Sequence, residues 1–395
     1  MDAQRLIYLD HAATTPARAE VVERMARFHQ LAYGNPSSLY ELAEEARNAV
    51  AVAREEVAQV LGCRPNEVVF TSGGSESNNA AIKGAGFAQR GAGKHMVVGA
   101  IEHPSVKHTA RQMEGWGWEV DLAAVDEHGH ISPEEVDRLI RPDTAVVSVM
   151  LVNNEIGAVQ DVAAIGELVH RRAEEHCHPI VMHTDAIQAA GKLELDAARL
   201  NVDMLSLSGH KIAGPKGVGA LFIKRGTPFE PLIAGGGQER QRRAGTENVP
   251  GIAGMGLALQ LAEDGRERFI ARAAKLRDQL VGGIREHIPG ALLNGHSETN
   301  VPTIVNVSFP NTTGEARLID LDFAGIAASS GSACSAASLE PSEVLTEIGL
   351  DVERAVASVR FSMGSGTDEG EIAAVLEQLK RIVANLQPSV PGAAR

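Results

Sequence analysis

The amino-acid sequence predicts an α/β fold: a mostly parallel central sheet with helices on both faces, plus a smaller α+β domain. Two observations carry this expectation. Apolar runs of strand length alternate with amphipathic stretches from about residue 66 to residue 225, the pattern of parallel strands joined by helical crossovers. At 395 residues the chain is also too long for one small core, and its patterning changes near residue 250, so one large and one small domain are expected.

Taken in order, the expected strands are Glu67–Thr71, His95–Ala100, Trp118–Ala123, Thr144–Val152, Pro179–Thr184, Asp203–Ser208 and Gly217–Ile223. Between several of them Ser75–Gln89, Pro104–Gly115 and Val162–His176 have helical periodicity. A long helix over Ile252–His287 links the large domain to the small one. There Thr303–Phe309 and Val356–Phe361 read as strands, Asp368–Leu386 as a closing helix and Pro388–Arg395 as a frayed tail. The expected division gives residues 1–15 to an N-terminal segment packing with the small domain, 16–260 to the large domain and 261–395 to the small one.

Composition narrows the function. Apolar residues make up 44% and charged residues 22%, an ordinary globular balance. A net charge of −14 argues against nucleic acid held stably on a broad basic face. It leaves room only for brief encounters at a local patch such as Arg240, Arg242 and Arg243. Three widely spaced cysteines, Cys63, Cys177 and Cys334, imply no disulfide framework. Met1–Arg5 lacks the apolar core of a signal peptide, and no apolar run reaches membrane-spanning length. A soluble, cytoplasmic chain with no membrane partner is expected.

In parallel sheets ligands bind at the carboxyl ends of the strands, and the chemically suggestive residues fall there. Ser208-Gly209-His210-Lys211 follows one strand and precedes the turn Gly214–Gly217. Lys211 is thus placed to form a Schiff base with an aldehyde cofactor, the commonest being pyridoxal 5'-phosphate; a solvated loop lysine is the alternative. Thr71–Ser77 follows a strand and opens a helix, where glycines free the backbone N–H groups for an anion. A phosphate on Gly74 and Ser75 fits, with Ser208 and His210 as further donors; a plain helix cap by Ser72 or Ser75 competes. Asp185 ends another strand and could keep a pyridine nitrogen protonated. At about 4 Å and an effective dielectric near 20 such a pair is worth roughly 4 kcal/mol, about three pKa units before desolvation; capping the next helix is the other reading.

The remaining candidates follow the same logic. His103, in Glu102-His103-Pro104, could stack on a planar cofactor and exchange protons, or merely cap. Asn154, in Asn153–Gly157, could hold a carboxylate or a ring hydroxyl, or form a turn. Arg360 has a fork suited to a substrate carboxylate, or to a structural salt bridge. Cys334 lies among small residues from Ser329 to Ser338, the setting of an accessible thiol rather than a core one. Cys63 and Cys177 are weaker candidates. His170, His176, Cys177 and His178 have no recognised ligand spacing, so no resident metal is expected.

Taken together these motifs resemble the cysteine desulfurases of the class V aminotransferase family, and within it the NifS/IscS group. The likeness runs from Tyr8–Pro16 to Arg360-Phe361-Ser362. Its most specific pieces are Ser208–Lys211, Arg243–Asn248, and Ser330–Cys334 followed by Ser338–Pro341. The resemblance implies the fold of type I PLP-dependent transferases, with the cofactor on Lys211 and sulfur taken up by Cys334. It implies phosphate contacts from Gly74, Ser75, Ser208 and His210, with Thr246 added by the neighbouring subunit of a homodimer. Asp185 would pair with the ring nitrogen, Gln188 with the ring hydroxyl, and His103 would stack on the ring. Asn154 and Arg360 would hold the substrate carboxylate.

The implied activity is L-cysteine desulfuration. Lys211 would remove the Cα proton, Cys334 would attack the substrate sulfur with help from a base such as His103, and alanine would leave. The Cys334 persulfide would then pass to an iron–sulfur scaffold or another sulfur-acceptor protein, with Cys334 a candidate transient iron–sulfur ligand. The chain departs from the family at Tyr40, where many relatives have His, at Ala43, where many have Gly, and at Ser75, where many have Thr. Selenocysteine lyase or a class V aminotransferase of the same fold, and a degenerate sulfur-trafficking scaffold, are the other readings. The small-residue run around Cys334 favours sulfur transfer over transamination, and intact Lys211, Asp185 and Cys334 speak against a scaffold.

Overall fold

Residues 6–295, 298–309, 314–330 and 341–386 are described by the computed structural model. The chain opens with β1 (Ile7–Tyr8), α1 (Ala19–Gln30) and α2 (Glu41–Val60). The alternating region follows as β2 (Val68–Thr71), α3 (Gly74–Gln89), β3 (His95–Gly99), α4 (Pro104–Glu114), β4 (Glu119–Ala123) and α5 (Pro133–Leu139). It continues through β5 (Thr144–Ser148), α6 (Val162–His176), β6 (Val181–Asp185), β7 (Met204–Ser208) and β8 (Gly219–Ile223). Next come α7 (Val249–Asp264), α8 (Arg266–His287), β9 (Leu292–Asn294), β10 (Ile304–Ser308), α9 (Gly314–Phe323) and β11 (Ile326–Ala327). The described chain ends with α10 (Glu343–Glu347), α11 (Val352–Val356), β12 (Ser358–Ser362) and α12 (Glu369–Leu386).

Seven strands form the main sheet in the order β2-β8-β7-β6-β5-β3-β4. The run from β7 to β4 is parallel, whereas β8 is antiparallel to both β7 and β2. The reversal at β8 has a simple cause. Only Gly209–Val218 joins β7 to β8, and a parallel return needs a crossover of a dozen or more residues. Because β2 runs antiparallel to β8, it points the same way as β7, and the carboxyl ends of β2, β3, β5, β6 and β7 share one edge.

Alternation along each strand sends side chains to opposite faces. Val68, Phe70, Val97 and Met182 meet residues of α1, α2, α5, α6 and α7 on one face. Val69, Met96, Val98 and Val146 meet α3 and α4 on the other. Both faces are therefore covered, as a parallel sheet requires.

A second core lies beneath the three-stranded antiparallel sheet β12-β10-β9. Leu276, Leu280 and Ile284 of α8, Ile372, Val375 and Leu379 of α12, and Leu9 from the N-terminal segment pack into it. Strand β1 pairs with β11 in parallel.

Several boundaries differ from the sequence reading. The single helix expected over Ile252–His287 is two, α7 and α8, meeting at Gly265. The break marks a change of core: α7 packs on α1 and α2, and α8 on α12. The strand expected over Thr144–Val152 stops at Ser148. Beyond it Asn153 Oδ1 accepts the N–H groups of Glu155 and Ile156 and turns the chain, and Val152 bridges back to Val159. Pro179 stays out of β6, having no N–H for the ladder. Val356 ends α11 rather than opening β12. Among the described residues no helix is long and apolar enough to cross a membrane.

Candidate active site

The shared carboxyl edge of the main sheet opens into a cavity of about 530 Å³, within the usual range for small-molecule sites. Lys211 enters it from the helical turn Gly209–Lys211 that follows β7. Its ammonium donates to the carbonyl oxygens of Ala12 and Ala13, the latter at 2.7 Å. The lysine expected at a strand-to-loop junction is thus held against the N-terminal segment, within the cavity.

The start of α3 forms another wall, with Gly74 and Ser75 lining it. Neither Ser72 nor Ser75 caps this helix; its cap residue is Gly73, with no side-chain bond. The approach is close enough that a Cβ on Gly74 would lie 2.1 Å from Ile187 Cδ1. The start of α3 thus has no side-chain cap on its first N–H groups, the geometry an anion would require. Ser208, buried at the end of β7, and His210 lie nearby on the same cavity. His210 Nδ1 is 3.2 Å from Thr14 Oγ1. Burial, then the charges of Lys211 and Lys216, push its imidazole down to about 4, so it is neutral at physiological pH.

No helix directly follows β6, so Asp185 caps none; it braces a turn instead and faces the cavity. Its Oδ1 accepts the Ile187 N–H at 2.9 Å and braces the turn after β6, while Oδ2 accepts Asn78 Nδ2 at 2.7 Å on the cavity side. Behind it His183 is wholly buried between Ser148 Oγ and Ser206 Oγ, at 2.8 and 3.0 Å. His103 likewise combines two roles. Its Nδ1 caps α4 by accepting the Ser105 N–H at 3.1 Å, and its ring lines the cavity. Burial first, then the charges of Lys211 and His108, lower its pKa below the usual value, with Asp185 opposing.

On the far side Asn154 and Arg360 line the cavity together. Arg360 is 2% exposed and donates to the Asn154 carbonyl at 2.9 Å and to Asp10 Oδ1 at 2.8 Å. The salt-bridge reading of Arg360 is therefore realised, at a position still facing the site. Gln188 is fixed at both ends of its amide: Oε1 accepts from Lys192 at 2.8 Å and Nε2 donates to Ala12 O at 2.9 Å. Burial, then Lys211 and Arg360, push the Lys192 ammonium down to about 7.

Thr246 is exposed and does not line the cavity, and Cys334 lies outside the described residues. Pro341 and Ser342 also line the cavity, and Ser342 Oγ donates to Glu155 Oε2 at 2.5 Å. Neither of the weaker thiol candidates lines it. Cys63 is half-buried and its thiol is pushed up to about 12 by burial, while Cys177 is exposed. His170 bonds Asp203 and the His178 ring nitrogens lie at carbonyls, and no metal-holding group forms among the described residues.

The sequence reading missed Asn78, Ser105, Lys192 and Glu102. Glu102 accepts the Met150 N–H through Oε1; Oε2 is buried with no partner among the described residues. Burial first and then Asp185 raise its pKa well above the carboxylate range. Its place beside His103 was the available signal. Asn78 lies four residues into α3 from Gly74, hence on the same helix face.

Pyridoxal 5'-phosphate fits this constellation. A helix start with no side-chain cap, an ammonium, a carboxylate and a flat imidazole face one cavity of suitable size.

The profile of the class-V aminotransferase family matches residues 7–375. The chain is 46% identical over 387 residues to cysteine desulfurase IscS of Methanosarcina thermophila, covering 98% of this chain and 94% of that protein. Among solved structures it is similar to a NifS-like protein, with a TM-score of 0.90 at 35% identity, covering 96% of this chain and 100% of that one. It is also similar to SspA in complex with cysteine, with a TM-score of 0.79 at 39% identity, covering 90% of this chain and 98% of that one.

Proposed function

The chain belongs to the class-V aminotransferase family of pyridoxal 5'-phosphate enzymes, and on that premise we propose that it is an L-cysteine desulfurase. The observation that carries the reading is the convergence of Lys211, Asp185, His103 and the Gly74 helix start on one cavity. In this reading Lys211 holds the cofactor, Asp185 pairs with its ring nitrogen and His103 covers its ring. Gly74, Ser75, Ser208 and His210 take the phosphate, joined by Thr246 from the second subunit of a homodimer. Gln188, its amide oriented by Lys192, turns a second N–H to the ring oxygen.

When bound, pyridoxal phosphate supplies an electron sink that stabilises negative charge at the substrate Cα. Lys211 Nζ takes the Cα proton of L-cysteine. Arg360 and Asn154 orient the substrate carboxylate, with Arg360 sharing its fork with Asp10. Cys334 Sγ then attacks the substrate sulfur. An S–S bond forms as the C–S bond breaks, the electron pair stays on the substrate carbon, and that carbon takes a proton and leaves in alanine. The persulfide passes to a sulfur-acceptor protein, for which an iron–sulfur scaffold is the proposed class. A cytoplasmic setting accords with this chemistry.

Borohydride reduction of the loaded protein followed by peptide mapping tests the assignment of Lys211. The label is expected on Lys211, and Lys211→Ala should take up none while keeping its fold. A label on Lys192, Lys216 or Lys224 would overturn it.

A further inference from the structure

Asn78 lies at the centre of a hydrogen-bond chain that joins two of the residues assigned above. Its buried amide nitrogen donates one N–H to Asp185 Oδ2 at 2.7 Å and the other to Ser105 Oγ at 2.9 Å. The orientation of this amide is not arbitrary, because an ionised carboxylate only accepts, so the NH₂ group must face Asp185. Ser105 Oγ in turn lies 2.8 Å from His103 Nδ1. Having accepted from Asn78, it directs its own hydrogen to the acceptor within reach. The backbone N–H of Ser105 aims at the same nitrogen, at 3.1 Å.

We infer that Asn78 and Ser105 fix the tautomer of His103, so that the imidazole offers the cavity a standing N–H donor at Nε2 and no proton-accepting nitrogen. A neutral imidazole carries its single proton on one nitrogen or the other. With two donors on Nδ1 the proton belongs on Nε2, which has no partner among the described residues, on a ring that lines the cavity. Taking up a second proton would require Nδ1 to turn against the Ser105 N–H. The groups around the ring act on the same equilibrium. Asp185 from β6 favours the charged ring, whereas Lys211 after β7, His108 on α4 and burial itself disfavour it.

The consequence deepens the desulfurase reading. His103 stacks and donates, and a thiol approaching the site gives its proton to a different group. Asn78 and Ser105 are positioning residues that act through His103 and Asp185, and Asn78 ties the two together.

The tautomer can be read without turnover, so the test stands whether or not cysteine is the substrate. The cofactor-loaded protein is labelled with ¹⁵N-histidine, and long-range proton–nitrogen correlation spectra are recorded across pH, with His103→Gln providing the assignment. Wild type should show an unprotonated Nδ1 and a protonated Nε2 at neutral pH. The same pattern should persist below the ordinary histidine pKa of about 6.5. Ser105→Ala and Asn78→Ala should populate the Nδ1–H form and raise the His103 midpoint by about one unit, tenfold in proton affinity. Ser105→Thr should keep the wild-type pattern. Should Asn78→Ala not fold, Ser105→Ala decides alone. A protonated Nδ1 in wild type, or an imidazole unchanged in Ser105→Ala, would overturn the inference.

Discussion

At the scale of single residues the site depends on groups held in one protonation state by their surroundings. His183 is the clearest structural instance. It is wholly buried behind Asp185 between two serine hydroxyls, and burial pushes its imidazole down to about 3. A folded-state pKa below the unfolded one means that the unfolded chain binds more protons in the window between them. The stability that His183 contributes is therefore complete above about pH 6.5 and lost as pH falls toward 3. At pH 4.5 the loss is about 3 kcal/mol, from roughly two pH units at 1.36 kcal/mol each. Thermal unfolding at pH 7 and 4.5 should show wild type losing more stability than His183→Gln; equal losses would count against this source of acid sensitivity. Lys211 and His103 were legible in the sequence because each follows a strand beside a glycine turn or a helix start, and Asp185 because it ends a strand. Asn78, Ser105 and Lys192 were not, because polar residues inside a helix or a turn look like an ordinary solvated face until the tertiary fold closes over them.

Among the elements, the start of α3 and strand β8 are coupled by a close approach of two backbones. A Cβ on Gly219 would lie 2.7 Å from both the Gly73 carbonyl carbon and the Leu207 carbonyl oxygen. These are backbone atoms that no side-chain rotation can move aside. Gly219→Ala should therefore push the start of α3, the proposed phosphate site, away from β7. We predict a loss of about 1–3 kcal/mol in stability, with faster release of the cofactor. Gly282 is a useful contrast: it is exposed in α8, and an added Cβ meets nothing within 4 Å. Gly282→Ala should raise stability by up to about 1 kcal/mol and leave cofactor release unchanged. Fluorescence-detected melting and cofactor dissociation rates check both; a neutral Gly219→Ala would contradict the packing argument. The alternation of strands and helices was readable over most of the main sheet, since period-2 and period-3.6 patterns differ sharply there. The break at Gly265 was not, because α7 and α8 each continue an acceptable helical pattern, and only their separate cores reveal two helices.

Over the whole molecule, the N-terminal segment ties the two cores together at the site. Leu9 packs in the smaller core and Ala12 in the larger. Between them Asp10 pairs with Arg360, and the carbonyls of Ala12 and Ala13 receive Lys211. The cavity is thus assembled from both ends of the chain, which is why Asp10 had a place in the family motif but no partner legible in the sequence. The central claim is that this cavity prepares the substrate while a separate thiol, Cys334, takes its sulfur. Cys334→Ser should still bind pyridoxal phosphate and still change its absorbance when L-cysteine is added. It should form no more than a trace of alanine, because a serine hydroxyl is a weak nucleophile at neutral pH. The most direct measurement is alanine formation from L-cysteine by Cys334→Ser, without added thiol, beside wild type. The account predicts steady alanine from wild type and almost none from the variant; alanine at a rate near wild type from Cys334→Ser would contradict it.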